Sequence, residues 1–184
     1  YTWPLKYIAL GEIAVLIVWG PLMIGGGYYV LTQQWSWNVV WASMPYVLGV
    51  TTVIFGKHID KIQVDKAKKI YTLPVIIGEK AARFGVISMM ILPYIFVLIL
   101  IANKYFSPVM LLVFMAIPTL LKLYPQLRKP RPEQKPEGFP EGQGGWPLYF
   151  APHAFVNNRA FGLWFMSGLI LDVIIRVVFP LFWR

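Results

Sequence analysis

The chain has 184 residues, 58% of them hydrophobic and only 14% charged, with a formal net charge of +9 and a mean hydropathy of +0.60. A soluble domain averages about 25% charged residues, so the composition excludes an ordinary soluble protein and points to an integral α-helical membrane protein. The absence of cysteine excludes disulfides and thiolate metal sites, and in such a chain the surplus cations mark loops on one side of a bilayer, not a nucleic-acid partner.

Strict alternation of apolar and polar residues is absent, which argues against a membrane barrel. Apolar runs near the length that crosses a bilayer core of about 30 Å recur five times. The first, roughly 10–31, reads LGEIAVLIVWGPLMIGGGYYVL. Glu12 lies near its start, at interfacial depth. Gly20-Pro21 predicts a local kink, because proline removes a helical N–H and clashes with the preceding turn. Gly25, Gly26 and Gly27 allow close helix approach. The second span, roughly 37–55, opens on an interfacial cluster of Trp35, Trp37 and Trp41.

A charged connection over 56–83 follows, with seven Lys/Arg and three acidic residues between Lys57 and Arg83. The third span, roughly 84–102, carries Pro93, and the fourth, roughly 108–123, carries Pro118; each proline predicts a bend. The stretch from Pro125 to Pro147 is rich in Pro, Gly, Glu and Lys and reads as an extended loop within 124–160. The last span, roughly 161–182, contains Asp172. Arg176 is four residues on, on the same helical face, so an ion pair is expected. No soluble domain or repeat is evident, and residues 1–184 read as one membrane domain. The chain opens without a basic n-region, short apolar core and cleavage site. Its start at Tyr1, not Met, is compatible with processing or a longer polypeptide.

Charge predicts the orientation. Lys6, the cations of 57–83, Lys122, Arg128, Lys129, Arg131, Lys135 and Arg159 fall on one side of the spans, and Lys104 and Arg184 on the other. The positive-inside rule therefore puts the N-terminus and the 56–83 and 124–160 loops in the cytoplasm and the C-terminus outside.

Asp60 and Asp65 are the leading candidates for chemistry. Carboxylates at the membrane surface suit Mg²⁺, which uses one or two carboxylates plus phosphate oxygens, and Lys57, Lys61 and Lys66 would offset a diphosphate. An i, i+5 spacing does not share a helical face, so joint ligation requires a bend between them. The competing reading is a basic loop resting on lipid headgroups. His58 reads as a ligand, a diphosphate contact or a polar residue at a helix end. His153 reads as structural. Asn157, Asn158 and Arg159 read either as contacts at the mouth of the bundle or as a helix start with an interfacial cation. Asp172 is a functional candidate as an intramembrane carboxylate and a structural one through Arg176. No phosphate-binding Walker loop, nucleophile elbow or HExxH motif is present.

The run Asp65-Lys-Ala-Lys-Lys-Ile-Tyr-Thr72-Leu73-Pro74-Val75, followed by Gly78-Glu79, resembles the second aspartate-rich motif of the UbiA-type intramembrane prenyltransferases. The first span, with Leu10-Gly11-Glu12, Trp19-Gly20-Pro21-Leu22 and Gly27-Tyr28-Tyr29, is similar to the fifth helix of that family. Trp146-Pro147-Leu148 and Asn158-Arg159 also fit. The resemblance implies an all-α fold in which this chain supplies about the last five of nine helices. It also implies Mg²⁺-dependent transfer of a prenyl group from its diphosphate to an aromatic, quinone-precursor, tetrapyrrole or related acceptor. Three departures stand out. The first aspartate-rich motif has no counterpart here, and Lys61 stands where the second usually has an aspartate, with Asp60 one residue out of register. Lys69 stands where glycine is common.

Two functions follow as expectations. One is the C-terminal portion of an active prenyltransferase, with Asp65 and Asp60 on Mg²⁺ and Lys57, Lys61, Lys66 and Arg159 on the diphosphate. The other is a catalytically idle UbiA-like structural subunit of a larger photosynthetic or respiratory complex. Both place the chain against lipid and partner transmembrane helices.

Overall fold

The computed structural model describes residues 4–137, 139 and 146–178, and among them the protein is helical, with a single isolated bridge, Ile8 to Tyr71, in place of a sheet. The part of the last predicted span beyond residue 178, the central part of the Pro/Gly-rich stretch and Arg184 lie outside the described residues. Among the described residues, five helices are long and apolar enough to cross a membrane: α1 Gly11–Thr32, α2 Trp37–Asp60, α5 Glu79–Ala102, α6 Pro108–Arg128 and α7 Phe150–Val178. Two short helices lie between α2 and α5: α3 Ile62–Ala67 and α4 Leu73–Ile77.

The helices outrun the apolar windows at the basic end. α2 continues past Phe55 through Lys57 and His58 to Asp60, α6 runs through Pro125 to Arg128, and α7 begins at Phe150, inside the stretch expected to be loop. Long cationic side chains keep their heads in water while their stems and backbone stay helical, so charge marks the membrane border without ending the helix. The connection 56–83 is therefore mostly ordered helix broken by tight turns.

The prolines act in different ways. Around Pro21 the first span widens into a π-helical stretch, Val18–Gly25, which absorbs the missing N–H bond. Pro118 falls in the first turn of the α-helical part of α6, where the preceding Pro108–Ala116 is wound as a tighter 3-10 helix, a position that tolerates proline.

α2 is the central helix. It packs against α5 on one side and α7 on the other, and 56% of its apolar window is buried, against 11% for α1. Gly56 makes the α2–α7 approach possible, since a Cβ there would lie 3.0 Å from the backbone carbonyl of Phe150. Gly49 leaves no room for a Cβ beside the Asn158 side chain. The core between α2, α5, α6 and α7 is built from Phe55, Val86, Met90, Tyr94, Met110 and Phe161. The Tyr94 ring meets Phe161 edge-on at 5.1 Å between centroids, a favoured aromatic geometry.

At the end opposite the basic loops, Asp172 forms the expected ion pair with Arg176, Oδ2 to Nε 2.9 Å. Its other oxygen accepts the backbone N–H of Ser107 at 2.9 Å, and Arg176 donates to the Tyr105 carbonyl at 3.0 Å. The pair thus fastens the α5–α6 turn to α7, which is a structural role.

Candidate functional site

The site lies where residues 6–12, the end of α2, and the turn from α3 to α4 meet. Leu5–Tyr7 form one 3-10 turn that runs beside the α4 entry, with the Tyr71 N–H donating to the Tyr7 carbonyl at 3.3 Å. This places Lys6 Nζ 3.4 Å from Asp65 Oδ1. One turn further, Glu12 enters α1 and its Oε1 lies 2.6 Å from His58 Nδ1 on α2. Glu12 is 3% exposed and His58 8%. Two polar pairs therefore stitch the N-terminal segment to the end of α2 and to α3.

Three oxygens here are buried and have no hydrogen-bond partner among the described residues: Glu12 Oε2, Asp65 Oδ2 and Thr72 Oγ1. Buried polar atoms in folded proteins are almost always paired, with protein or with ordered water, so these three oxygens are acceptors left open to water or to a polar ligand. Thr72 precedes α4 and holds its first turn through its carbonyl, which accepts from the Val75 N–H at 3.0 Å. Its hydroxyl is not used for that capping.

Asp60 and Asp65 belong to different arrangements. The chain turns at Lys61 between α2 and α3. Asp60 aims its carboxylate at the start of α7, where Oδ1 accepts from the Tyr149 and Phe150 N–H groups at 2.8 and 2.9 Å and Oδ2 from Ala151 at 2.9 Å. A helix N-terminus is a seat for an anion, and here the side chain of Asp60 fills it. Asp65 is 3% exposed and keeps one oxygen unpaired. The spacing that spoiled a shared helical face is thus resolved by separate partners. No group of three or more His, Asp or Glu that could hold a metal occurs among the described residues. Asp65 Oδ2, left without a partner among the described residues, could serve as one carboxylate ligand of a Mg²⁺ bound together with phosphate.

The predicted cations divide in the same way. Lys57, Lys66 and Arg159 are exposed and Lys61 is half-buried. Lys57, Lys61 and Lys66 surround the α2–α3 turn, where they raise the local positive potential; Arg159 lies well along α7. Asn158 packs on Gly49 and Asn157 is buried with its Oδ1 unpaired among the described residues. His153 bonds through Nδ1 to the Tyr149 carbonyl at 2.6 Å and through Nε2 to Gln126, which supports its structural reading. Burial pushes the Tyr149 phenol above its ordinary value. Sequence reasoning did not select Lys6, Glu12 or Thr72 as site residues. Glu12 carried a signal, an acid at the border of an apolar span, but its partner is 46 residues away.

Lys69 shows what the departure from glycine costs. α3 ends in a Schellman turn, in which Ile70 N–H bonds the Asp65 carbonyl at 2.8 Å and Lys69 N–H the Lys66 carbonyl at 3.1 Å. Lys69 is left-handed, with φ 55°, a conformation that costs an L-residue about 1–2 kcal/mol. Lys69→Gly is expected to stabilise the protein by about 0.5–1 kcal/mol relative to Lys69→Ala, part of the relief being lost to the freer unfolded chain. Denaturant midpoints in detergent check this, and equal midpoints would contradict it.

Toward the opposite end, a cavity of about 440 Å³ opens between α1, α2 and α7, lined by apolar and aromatic side chains that include Met23, Ile24, Ala42, Tyr46, Phe106 and Phe165. Polar site and apolar cavity thus occupy opposite halves of the bundle.

Over 98 residues the chain is 31% identical to the 2-carboxy-1,4-naphthoquinone phytyltransferase of Synechocystis sp., a match covering 51% of this chain and 32% of that protein. It is 27% identical over 123 residues to UbiA prenyltransferase domain-containing protein 1 of Gallus gallus, covering 67% and 36% respectively. It is 22% identical over 170 residues to the 1,4-dihydroxy-2-naphthoate octaprenyltransferase of Bacillus subtilis, covering 92% and 51%. The chain therefore spans about a third to a half of the length of these curated relatives. No solved structure matches. The model of the UbiA prenyltransferase family matches residues 1–140, a match that takes in Lys6, Glu12, His58, Asp65 and Thr72, and the chain belongs to that family.

Proposed function

We propose that this chain supplies the Asp65-bearing portion of an intramembrane prenyltransferase that moves a prenyl group from its diphosphate to an aromatic or quinone-precursor acceptor. The observation that carries the reading is the buried, unpaired Oδ2 of Asp65, at the start of the family motif and with Lys6 Nζ 3.4 Å from its other oxygen. Two of the relatives are named for naphthoquinone or naphthoate prenylation, which favours a bicyclic aromatic acceptor over a tetrapyrrole.

Lys57, Lys61 and Lys66 would offset the negative charge that grows on the diphosphate as its bond to the prenyl carbon breaks, the kind of electrostatic stabilisation that often dominates catalysis. Mg²⁺, when bound with the diphosphate, would add to that neutralisation. Lys6 holds Asp65 Oδ1 and leaves Oδ2 free to meet the ligand. The apolar cavity suits a prenyl chain, and its water-poor wall would protect the allylic cation until an acceptor carbon attacks and releases its proton. Asp60 is not assigned to the metal, because its oxygens are engaged by three backbone N–H groups. We place the basic end of the bundle in the cytoplasm, following the distribution of cations.

Prenyl transfer by the complete polypeptide in detergent or nanodiscs is expected to fall to background with excess EDTA and to return with added Mg²⁺. Transfer unaffected by chelation would remove Mg²⁺ from the site. A second reading, an idle structural subunit, is favoured by the Lys61 substitution and by the sparse burial of α1, which leaves an apolar face for partner helices. Under that reading no transfer occurs at any Mg²⁺ concentration.

A further inference from the structure

A small polar cavity lies between the first turns of α5 and the last turn of α6. It measures about 130 Å³ and is lined by Lys80, Arg83, Arg128, Phe84 and Ile87. All three polar side chains are cations. The nearest carboxylate, Glu79, reaches Arg83 only at 3.7 Å and is itself 44% exposed, too distant for a hydrogen bond. Arg83 is the unusual member. Its side chain is only 14% exposed, yet Nε and Nη1 are buried without a hydrogen-bond partner among the described residues. A guanidinium in this state lacks the planar, two-oxygen acceptor that its fork matches best.

What surrounds the cavity identifies the acceptor. Phe84 is 63% exposed and stands at its mouth. Ile91, Ile95 and Leu98 are also exposed and follow Phe84 along α5 toward the bundle centre. Their spacing of seven, eleven and fourteen residues keeps them close to one face. On α6, Leu121 is exposed beside Tyr124, and the Arg128 guanidinium lies 5.8 Å from the Tyr124 ring centroid. A cationic pocket therefore sits at the head of an apolar strip on a membrane-spanning helix. A free phosphate would use only the pocket, whereas an amphiphile with a phosphate head would use both.

We propose that the α5–α6 cavity binds the phosphodiester headgroup of an anionic membrane phospholipid, with Arg83 and Arg128 on the phosphate, Lys80 at the rim and an acyl chain along Phe84, Ile91 and Ile95. Basic pockets between transmembrane helices suit such headgroups. This site is separate from Asp65 and does not depend on the proposed reaction.

The test is thermal unfolding of the full chain in neutral detergent, with phosphatidylglycerol, phosphatidylcholine or inorganic phosphate added. Phosphatidylglycerol is expected to raise Tm by about 5 °C at saturation, and phosphatidylcholine and phosphate are not. Lys80→Gln with Arg128→Gln, both exposed positions, should abolish the shift, as should Arg83→Gln. Lys122→Gln, on α6 but outside the cavity, should retain it. An equal shift with phosphatidylcholine, a full shift with phosphate alone, or a full shift in the Lys80→Gln/Arg128→Gln protein would each overturn the proposal.

Discussion

In the complete polypeptide, Asp65→Ala is expected to lower Mg²⁺-dependent prenyl transfer by about 100-fold or more, the scale seen when one preorganised charge contact is removed from an active site. Stability should change little. The partner of Asp65 is Lys6, whose side chain is 40% exposed and 3.4 Å away, so water can replace the lost carboxylate and the pair itself contributes at most about 1 kcal/mol. Asp60→Ala should behave in the opposite way. It strips three backbone N–H groups at the start of α7 of their acceptor, a loss of about 3 kcal/mol by the scale of caps and charged hydrogen bonds. At about 2–4 °C per kcal/mol for a chain of this size, Tm would fall by roughly 6–12 °C. Asp60→Asn keeps one acceptor oxygen and should retain part of that stability. Activity per folded molecule and Tm, measured on the same samples, separate the two roles. Full activity in Asp65→Ala would end its assignment. A fully stable but inactive Asp60→Ala would show Asp60 to be a ligand and not a cap.

Glu12→Leu is expected to destabilise the protein by about 3 kcal/mol, because it leaves His58 buried with no partner. His58→Leu should cost a similar amount by stranding Glu12, whose Oε2 already lacks a partner among the described residues. The double variant replaces both groups with apolar ones and should cost at least 1 kcal/mol less than the sum. Glu12→Gln preserves an acceptor for the imidazole and should be the mildest of the set. Unfolding in mixed detergent, compared across the four proteins and the parent, gives the coupling energy. Strictly additive losses would show that the 2.6 Å contact does not join the two helices energetically. Such a coupling would also explain how α1, with little of its surface buried, is held to the bundle at its basic end.

The sequence by itself determined the layers of this protein that depend on neighbouring residues. Five spans follow from apolar runs long enough for a bilayer, an irregularity at Gly20-Pro21 follows from a missing N–H, though as an expected kink and not as the widened turn the structure shows, and the Asp172–Arg176 pair follows from one helical turn of separation. The run from Asp65 to Glu79 was sufficient to place the chain in its family. Helix ends were less legible, since Lys57, His58 and Arg128 signal a membrane border while their backbone remains helical. The tertiary structure alone decided which polar groups are paired within the fold and which are left unpaired among the described residues. Asp60 and Asp65 look equivalent on paper, two carboxylates five residues apart among lysines. Their difference comes from the start of α7, some 90 residues further on, which engages both oxygens of one and neither of the other. Likewise Glu12 and His58 gain meaning only when α1 and α2 lie side by side. Local periodicity records what the membrane and the helix require of each segment, but hydrogen-bond partners across long separations are set by packing.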